Sequence, residues 1–295
     1  MSHLRIAAAQ YPIDEIESFA AYEAKLTRWV EGAARDGAHV LVFPEYGAME
    51  LTRIAGAAIA GDLHKGIEAL QSVLPEADAL QARLAQKHGV FILGASAPVR
   101  GADGKYRNIA RFHAPSGASA TQEKLIMTRF EREDWRIDAG VGQTVFDTPH
   151  GKIGVAICYD VEFPILVRAL TEAGAEIILA PSCTDTAYGY WRVRVGAQAR
   201  ALENQCFTVQ SPTVGDAAWS PAVDTNVGAA AAYAPPDIGL PENGVIAIGE
   251  MNKPGWVYAD LDLARIRAVR AGGQQLNNTH WDEQTPGVAP ATPFS

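Results

Sequence analysis

What this sequence is short of narrows its function first. Among 295 residues there are only three cysteines, Cys158, Cys183 and Cys206. So few, odd in number and widely spaced, they make no disulfide framework, and with no C-x-x-C pair they do not suggest zinc. The seven histidines are scattered without H-x-x-x-H spacing, so the expectation is no metal and no cofactor. No apolar run approaches the roughly 18–20 residues that span a bilayer; the Ala-rich stretches Ile54–Ala60 and Val227–Ala234 are too short. A basic leader followed by an apolar segment is also missing at the start, where Arg5 interrupts a strand-like run. Positive charge is in the minority: 25 Lys and Arg against 34 Asp and Glu give a net charge of −9. That balance, with no basic block, argues against a nucleic-acid or anionic-membrane surface. A cytoplasmic protein acting on a small molecule is the expectation.

What is there alternates in a regular way. Arg5–Tyr11 reads as a strand. Ile16, Phe19, Tyr22, Leu26, Trp29 and Ala33 then recur at three- and four-residue spacing, which predicts an amphipathic helix ending at Arg35-Asp36-Gly37. Val40–Phe43 follows, apolar on both faces as a buried strand is. The same helix, glycine, strand grammar recurs at Glu76–His88, Gly89, Val90–Leu93 and at Pro164–Ala173, Gly174, Glu176–Ala180. Between them Asn108–His113, Ala118–Glu123, Thr144–Asp147 and Lys152–Cys158 read as strands joined by turns at Gly101–Gly104 and Pro115–Gly117. Trp191, Val195, Gln198, Ala199 and Leu202 mark a further helix before a strand at Cys206–Ser211. Mixed βα units and hairpins predict an α/β fold with sheets covered by helices. One domain is expected over residues 1–276, and the Pro-, Thr- and Gly-rich residues 277–295 read as an extended arm.

Ligands of α/β sheets bind beyond the carboxyl ends of strands, and reactive side chains fall there. Glu45 follows the strand that Pro44 terminates. Cys158 closes an apolar strand just ahead of the helix that begins near Pro164, an elbow that exposes a nucleophile and offers backbone N–H groups. Lys124 ends another strand, and Glu133 lies in the charged segment Phe130–Trp135. Singly, each has a plain reading: a solvated turn carboxylate, a buried thiol, surface charges.

Together, and in order, these residues resemble the carbon–nitrogen hydrolase (nitrilase) superfamily, in its amidase-like branch. Phe43-Pro44-Glu45 is similar to that family's general-base motif, Glu123-Lys124 to its lysine motif, and Cys158-Tyr159-Asp160 with Phe163-Pro164 to its nucleophile motif. The likeness also takes in Ala8-Ala9-Gln10, Arg200–Asn204 and Ala259–Leu263. Two departures stand out: Ile165 where the family has Glu after Phe-Pro, and Ser211-Pro212-Thr213 where it has Asn-Arg before Val-Gly. The resemblance implies a four-layer αββα sandwich and a Glu–Lys–Cys triad with a second glutamate. In the family that glutamate precedes a glycine by seven positions, so Gly140 selects Glu133 over Glu131. It further implies a homodimer, an oxyanion site at Lys124 and the Tyr159 N–H, and a pocket near Glu162, Trp135 and Tyr188. Cys183 follows the next strand in order and is expected to pack; Cys206 is expected to be buried and inert. The implied activity is hydrolysis of a non-peptide amide through a cysteine thioester. Nitrile hydrolysis, acyl transfer with the same triad, a glutaminase module and a non-catalytic protein of the same fold are the alternatives. Tyr159-Asp160 after the cysteine favours amides over nitriles, since true nitrilases of the superfamily carry Trp-Glu there.

Overall fold

Local sequence rules account for most of the chain's elements. The computed structural model describes residues 3–284 and 287. Strand β1 (His3–Pro12) alternates, with Leu4, Ile6 and Ala8 in one apolar cluster and Ala7, Ala9 and Tyr11 in another. Helix α1 (Phe19–Arg35) starts where Ser18 Oγ accepts from Ala21 N–H and ends where Gly37 turns left-handed, φ 82°. In chain order there follow β2 (Val40–Val42), a 3-10 segment (Gly47–Ala55), α2 (Ala57–Ala60), α3 (Leu63–His88), β3 (Phe91–Leu93), β4 (Ala97–Arg100), β5 (Tyr106–His113) and β6 (Ser119–Glu123). A single π-type turn at Glu131–Trp135 leads to β7 (Val145–Thr148) and β8 (Gly151–Val155). Then come a 3-10 turn (Cys158–Glu162), α4 (Pro164–Glu172), β9 (Ile177–Ser182), α5 (Ala187–Asn204) and β10 (Phe207–Asp216). Strands β11 (Thr225–Asn226), β12 (Ala231–Tyr233), β13 (Val245–Ile248) and β14 (Gly255–Asp262) precede α6 (Leu263–Gly272) and a short 3-10 turn at His280–Glu283.

Two sheets result. In the first, β1 pairs with β2 in parallel and with β14 antiparallel, β2 with β3 in parallel, and β5 joins antiparallel to β3, β4 and β6. In the second, β8, β9 and β10 run parallel, with β7 antiparallel on β8 and β12 then β13 beyond β10. The sheets meet where Tyr11 and Pro12 of β1 pair with Thr213 and Val214 of β10. Leu26 and Val30 of α1 and Leu70, Leu80 and Leu84 of α3 pack on Ala7, Leu41 and Ile92. Leu4, Ile6, Val40 and Val42 share the other cluster with Ile153, Ile177 and Ile178, and with Val167 and Leu170 of α4 and Val193 and Ala197 of α5. Helices, sheet, sheet, helices is the four-layer α/β sandwich of the nitrilase type. Two sheets stacked face to face leave the carboxyl ends of β2, β6, β8 and β9 on one rim, and the site is built there.

Several expectations need correcting. Helix α3 begins at Leu63, capped by Asp62, not at Glu76. Pro75 lies inside it and costs one backbone hydrogen bond, but Leu70, Leu74 and Ala77 on the same buried face hold the two halves in line. Strand β8 stops at Val155, so Cys158 stands beyond the ladder in its own turn. Strands β4 and β11 to β13 carried no clear alternation. Of the expected arm at 277–295, residues 277–284 are described: Asn278 bonds to Gln205, Asn204 and Arg168, and Trp281 lies under the Arg168 guanidinium. Its remainder, apart from 287, lies outside the described residues. No described helix is long and apolar enough to cross a membrane.

Candidate active site

Two turns that force the backbone left-handed present the key side chains. Directly after Glu45, Tyr46 has φ 55°, and Cys158 itself has φ 50°. Non-glycine residues in this region are uncommon and cost about 1–3 kcal/mol each, which the surrounding packing must offset. Around Cys158 that packing comes from α5. A Cβ at Gly196 would lie 3.1 Å from Val161 O, and Arg200 donates to the same carbonyl. Glycine lets the helix approach the turn this closely without pushing it back.

Glu45, Lys124 and Cys158 converge. All three are buried, at 1%, 1% and 5% exposure. Lys124 Nζ donates to Glu45 Oε1 at 2.7 Å. Cys158 Sγ lies beside Glu45 and 3.8 Å from Cys183 O. Glu45 Oε2 accepts from the Cys183 N–H at 3.0 Å, and Oε1 accepts from Asn108 Nδ2 at 2.9 Å.

The second glutamate is Glu131, not Glu133. Lys124 Nζ donates to Glu131 Oε2 at 2.6 Å, Tyr46 Oη to Oε1 at 2.6 Å, and the Thr128 N–H and Oγ1 to Oε2 at 2.8 and 2.9 Å. Glu133 points to solvent, its side chain 64% exposed, with only Arg129 at 3.7 Å. Counting back from Gly140 failed for a definable reason. Gly140 does abut the lysine, since its N–H bonds to Lys124 O and a Cβ there would lie 2.8 Å from that oxygen. But Glu131 lies nine positions before Gly140, and the chain between them winds through the π-type turn at Glu131–Trp135 and the left-handed Arg136. A local signal was available: Thr128-x-x-Glu131 is a capping box, with Glu131 N–H returning to Thr128 Oγ1 at 3.4 Å.

Asp160 fastens two of these pieces together. Its carboxylate accepts from the N–H groups of Leu125 and Ile126, at 3.0 and 2.8 Å, so the cysteine turn grips the chain just past Lys124.

Burial and charge set the protonation states. Burial pushes Glu45 up to about 7; Lys124 opposes this and the Glu131 charge adds to it. Burial alone would strip Lys124 of its proton, but two flanking carboxylates outweigh it and keep the ammonium well above its ordinary range. Glu131 is buried too, yet Lys124, Tyr46 and Thr128 hold it below the usual carboxylate value. The Cys158 thiol is raised well above normal by burial and by Glu45, so Cys158 rests as a thiol beside that carboxyl.

These groups open into a cavity of about 640 Å³. Tyr159, Glu162 and Trp135 line it as expected. Trp135 lies tilted against Tyr46 with ring centroids 4.7 Å apart, and Glu162 faces Arg192 at 3.5 Å. Tyr188 does not: it is 81% exposed on the outer face of α5. Cys183 lines the cavity, its thiol raised to about 12 by burial, whereas Cys206 is fully buried elsewhere. Sequence reasoning missed Glu131, Tyr46 and Asn108. Among the described residues no cluster of His, Cys, Asp and Glu is placed to hold a metal ion.

Residues 5–271 match the family model described as carbon-nitrogen hydrolase. The chain is 34% identical over 281 residues to the probable hydrolase YhcX of Bacillus subtilis, covering 95% of this chain but only 54% of that protein, about half its length. It is 24% identical over 230 residues to the omega-amidase NIT2-B of Xenopus laevis, covering 73% of this chain and 76% of that one. Among solved structures, a carbon-nitrogen hydrolase of Helicobacter pylori superposes with a TM-score of 0.74 at 20% identity, over 92% of both chains.

Proposed function

Since the chain belongs to the carbon–nitrogen hydrolase family, we propose that it is an enzyme that hydrolyses a non-peptide amide through a Cys158 thioester. The observation that carries this is the convergence of Glu45, Lys124 and Cys158 at the foot of one cavity. The Glu45 carboxylate takes the thiol proton as Sγ bonds to the carbonyl carbon. The carbonyl π-electrons move to oxygen, and the oxyanion is stabilised by Lys124 Nζ and the Tyr159 N–H. Tyr159 lies in the first turn of its 3-10 segment, where N–H groups lack intrahelical partners. Losing one such donor costs roughly 10²–10³ in rate.

Collapse of the adduct breaks the C–N bond, and protonated Glu45 passes its proton to the departing ammonia or amine. Water then adds to the thioester with Glu45 again as base, freeing the acid and the thiol. Glu131 takes no proton in this scheme. With four donors already on its two oxygens, its part is to hold Lys124 charged and in place. Amides are preferred to nitriles, because addition to an amide places negative charge on oxygen at once, where the Lys124 donor suits it.

A panel of amides, carbamoyl amines and matched nitriles, assayed for ammonia or amine release, tests this. Cys158→Ala should abolish turnover and the acyl-enzyme mass increment. Cys183→Ala should stay within a few-fold of wild type, because Cys183 serves Glu45 through its backbone N–H. Turnover surviving Cys158→Ala in a folded protein would remove the thioester. A nitrile favoured tenfold over its amide, about 1.4 kcal/mol in transition-state binding, would overturn the amide preference.

A further inference from the structure

Asn108 is fully buried on β5, in a layer where an apolar side chain of its size would pack at lower cost. Its Nδ2 donates to Glu45 Oε1 at 2.9 Å, while its backbone carbonyl accepts from the Lys124 N–H at 2.9 Å. One residue therefore touches both the base and the lysine. Its Oδ1 is buried with no protein partner, so half of the amide's hydrogen-bonding capacity is given up to bring the donor to Glu45. Reversing the amide would set Oδ1 against Oε1, acceptor on acceptor, so the network fixes the orientation.

The effect on Glu45 is geometric. The terminal carboxylate torsion is soft, and an ammonium donates in any direction, so Lys124 alone does not set its plane. A directional N–H on Oε1 and another on Oε2, from Cys183, do. With two donors on Oε1 and one on Oε2, Oε2 keeps a free lone pair, and Cys158 lies beside the carboxylate. We infer that Asn108 is the positioning residue of the general base, fixing the Glu45 carboxylate toward the thiol and favouring its ionised form. This rests on the hydrolase reading above.

The groups facing Glu45 are Lys124 at the end of β6, Glu131 from the π-type turn, Cys158 from its 3-10 turn, Cys183 from the end of β9, and Tyr46 next in the chain. Asp160 stands behind the segment that follows Lys124. Asn108 is the uncharged side-chain donor among these contacts, so replacing it with leucine changes no formal charge.

The test is a pH series on wild type, Asn108→Leu and Asn108→Asp. Two rates are followed: kcat/KM on an amide the wild type turns over, and alkylation of Cys158 by iodoacetamide, mapped by peptide mass. Asn108→Leu should move the acid limb of both profiles up by about one pH unit or more, with rates recovering to within a few-fold of wild type at high pH. Asn108→Asp, isosteric but placing a second carboxyl against Glu45, should move it further. KM should change less than kcat. A purely structural role would lower the rates by one factor at every pH, and profiles that superimpose after scaling in both variants overturn the inference. If wild-type Cys158 is alkylated no faster than Cys183 and Cys206 and no amide is cleaved, the hydrolase reading itself falls, and this inference with it. Should Asn108→Leu not fold, Asn108→Asp decides.

Discussion

Glu45 and Glu131 are buried carboxylates on the same lysine, yet their surroundings drive them apart. Around Glu131 four donors outweigh desolvation and keep it ionised. Around Glu45 desolvation wins, and it titrates near about 7, where a general base is most useful. Activity should therefore fall on the acid side with a midpoint near about 7 as Glu45 takes up a proton. The sign for stability is opposite. A folded carboxyl raised above its unfolded value binds the proton more tightly when folded, so this group destabilises fully above about 7 and is relieved progressively as pH falls from there toward its ordinary value of 4.5. At about pH 6, kcat/KM should have dropped well below its plateau while the thermal unfolding midpoint shows no loss attributable to Glu45. The same scale separates the glutamates of the charged loop. Glu131→Gln keeps shape but takes a charge from Lys124; a drop of about 10² or more in kcat is expected, with a lower melting temperature, since breaking a buried ion pair costs about 3–5 kcal/mol. Glu133→Gln disturbs only an exposed pair worth about 0–1 kcal/mol and should leave both within error. Equal effects from the two would contradict this assignment.

At the scale of elements, the turn Cys158–Glu162 is held from two sides, by α5 through Gly196 and Arg200 and by the Lys124 segment through Asp160. Asp160→Asn would set its amide NH₂ against one of the two backbone N–H groups, leaving at least one buried donor unsatisfied at about 1–3 kcal/mol. Both a lower melting temperature and a kcat reduced by about 10–10² are expected, since the nucleophile and Lys124 lose their common tie. Full activity in the folded variant would show that the tie is dispensable. Elements also explain what the sequence disclosed. Apolar runs exposed β1 and β2, which are buried on both faces, and helical periods exposed α1 and α4. The stripe that marked α5, Trp191, Val195 and Leu202, is instead its exposed face, and the buried one is Tyr190, Val193, Ala197 and Ala201. Strand ends offered Glu45, Lys124 and Cys158 singly, and the resemblance to the carbon–nitrogen hydrolase family joined them as a set. Asn108 stayed hidden because a polar residue inside a strand looks the same whether it faces solvent or a catalytic carboxylate. Glu131 was missed because its place depends on how a loop is wound, which no residue count records. The first half of α3 was missed because Pro75 interrupts the pattern that the buried face continues.

For the whole molecule, Tyr188, Trp191, Val195 and Leu202 form an exposed apolar stripe along α5, at 81%, 49%, 59% and 43% exposure. Spacings of three, four and seven residues place them on one helical face, which a second copy of the chain can cover isologously. The homodimer expected from the family resemblance is predicted to use it. Sedimentation should show a dimer that Val195→Glu with Leu202→Glu converts to monomer; a wild-type monomer, or a variant that stays dimeric, would rule this face out.

The pairing of β1 has a consequence for how the chain is made. Strand β1 finds its antiparallel partner only at residues 255–262 and its link to the second sheet only at Tyr11–Thr213 and Pro12–Val214. Until residues 255–262 are synthesised, an Ala-rich strand has an open edge, and such edges recruit other chains. Contacts this distant in sequence also slow folding. Every growing chain must therefore shelter β1 until β14 arrives, and expression that stalls before Gly255 should yield aggregates where synthesis through Asp262 yields folded protein.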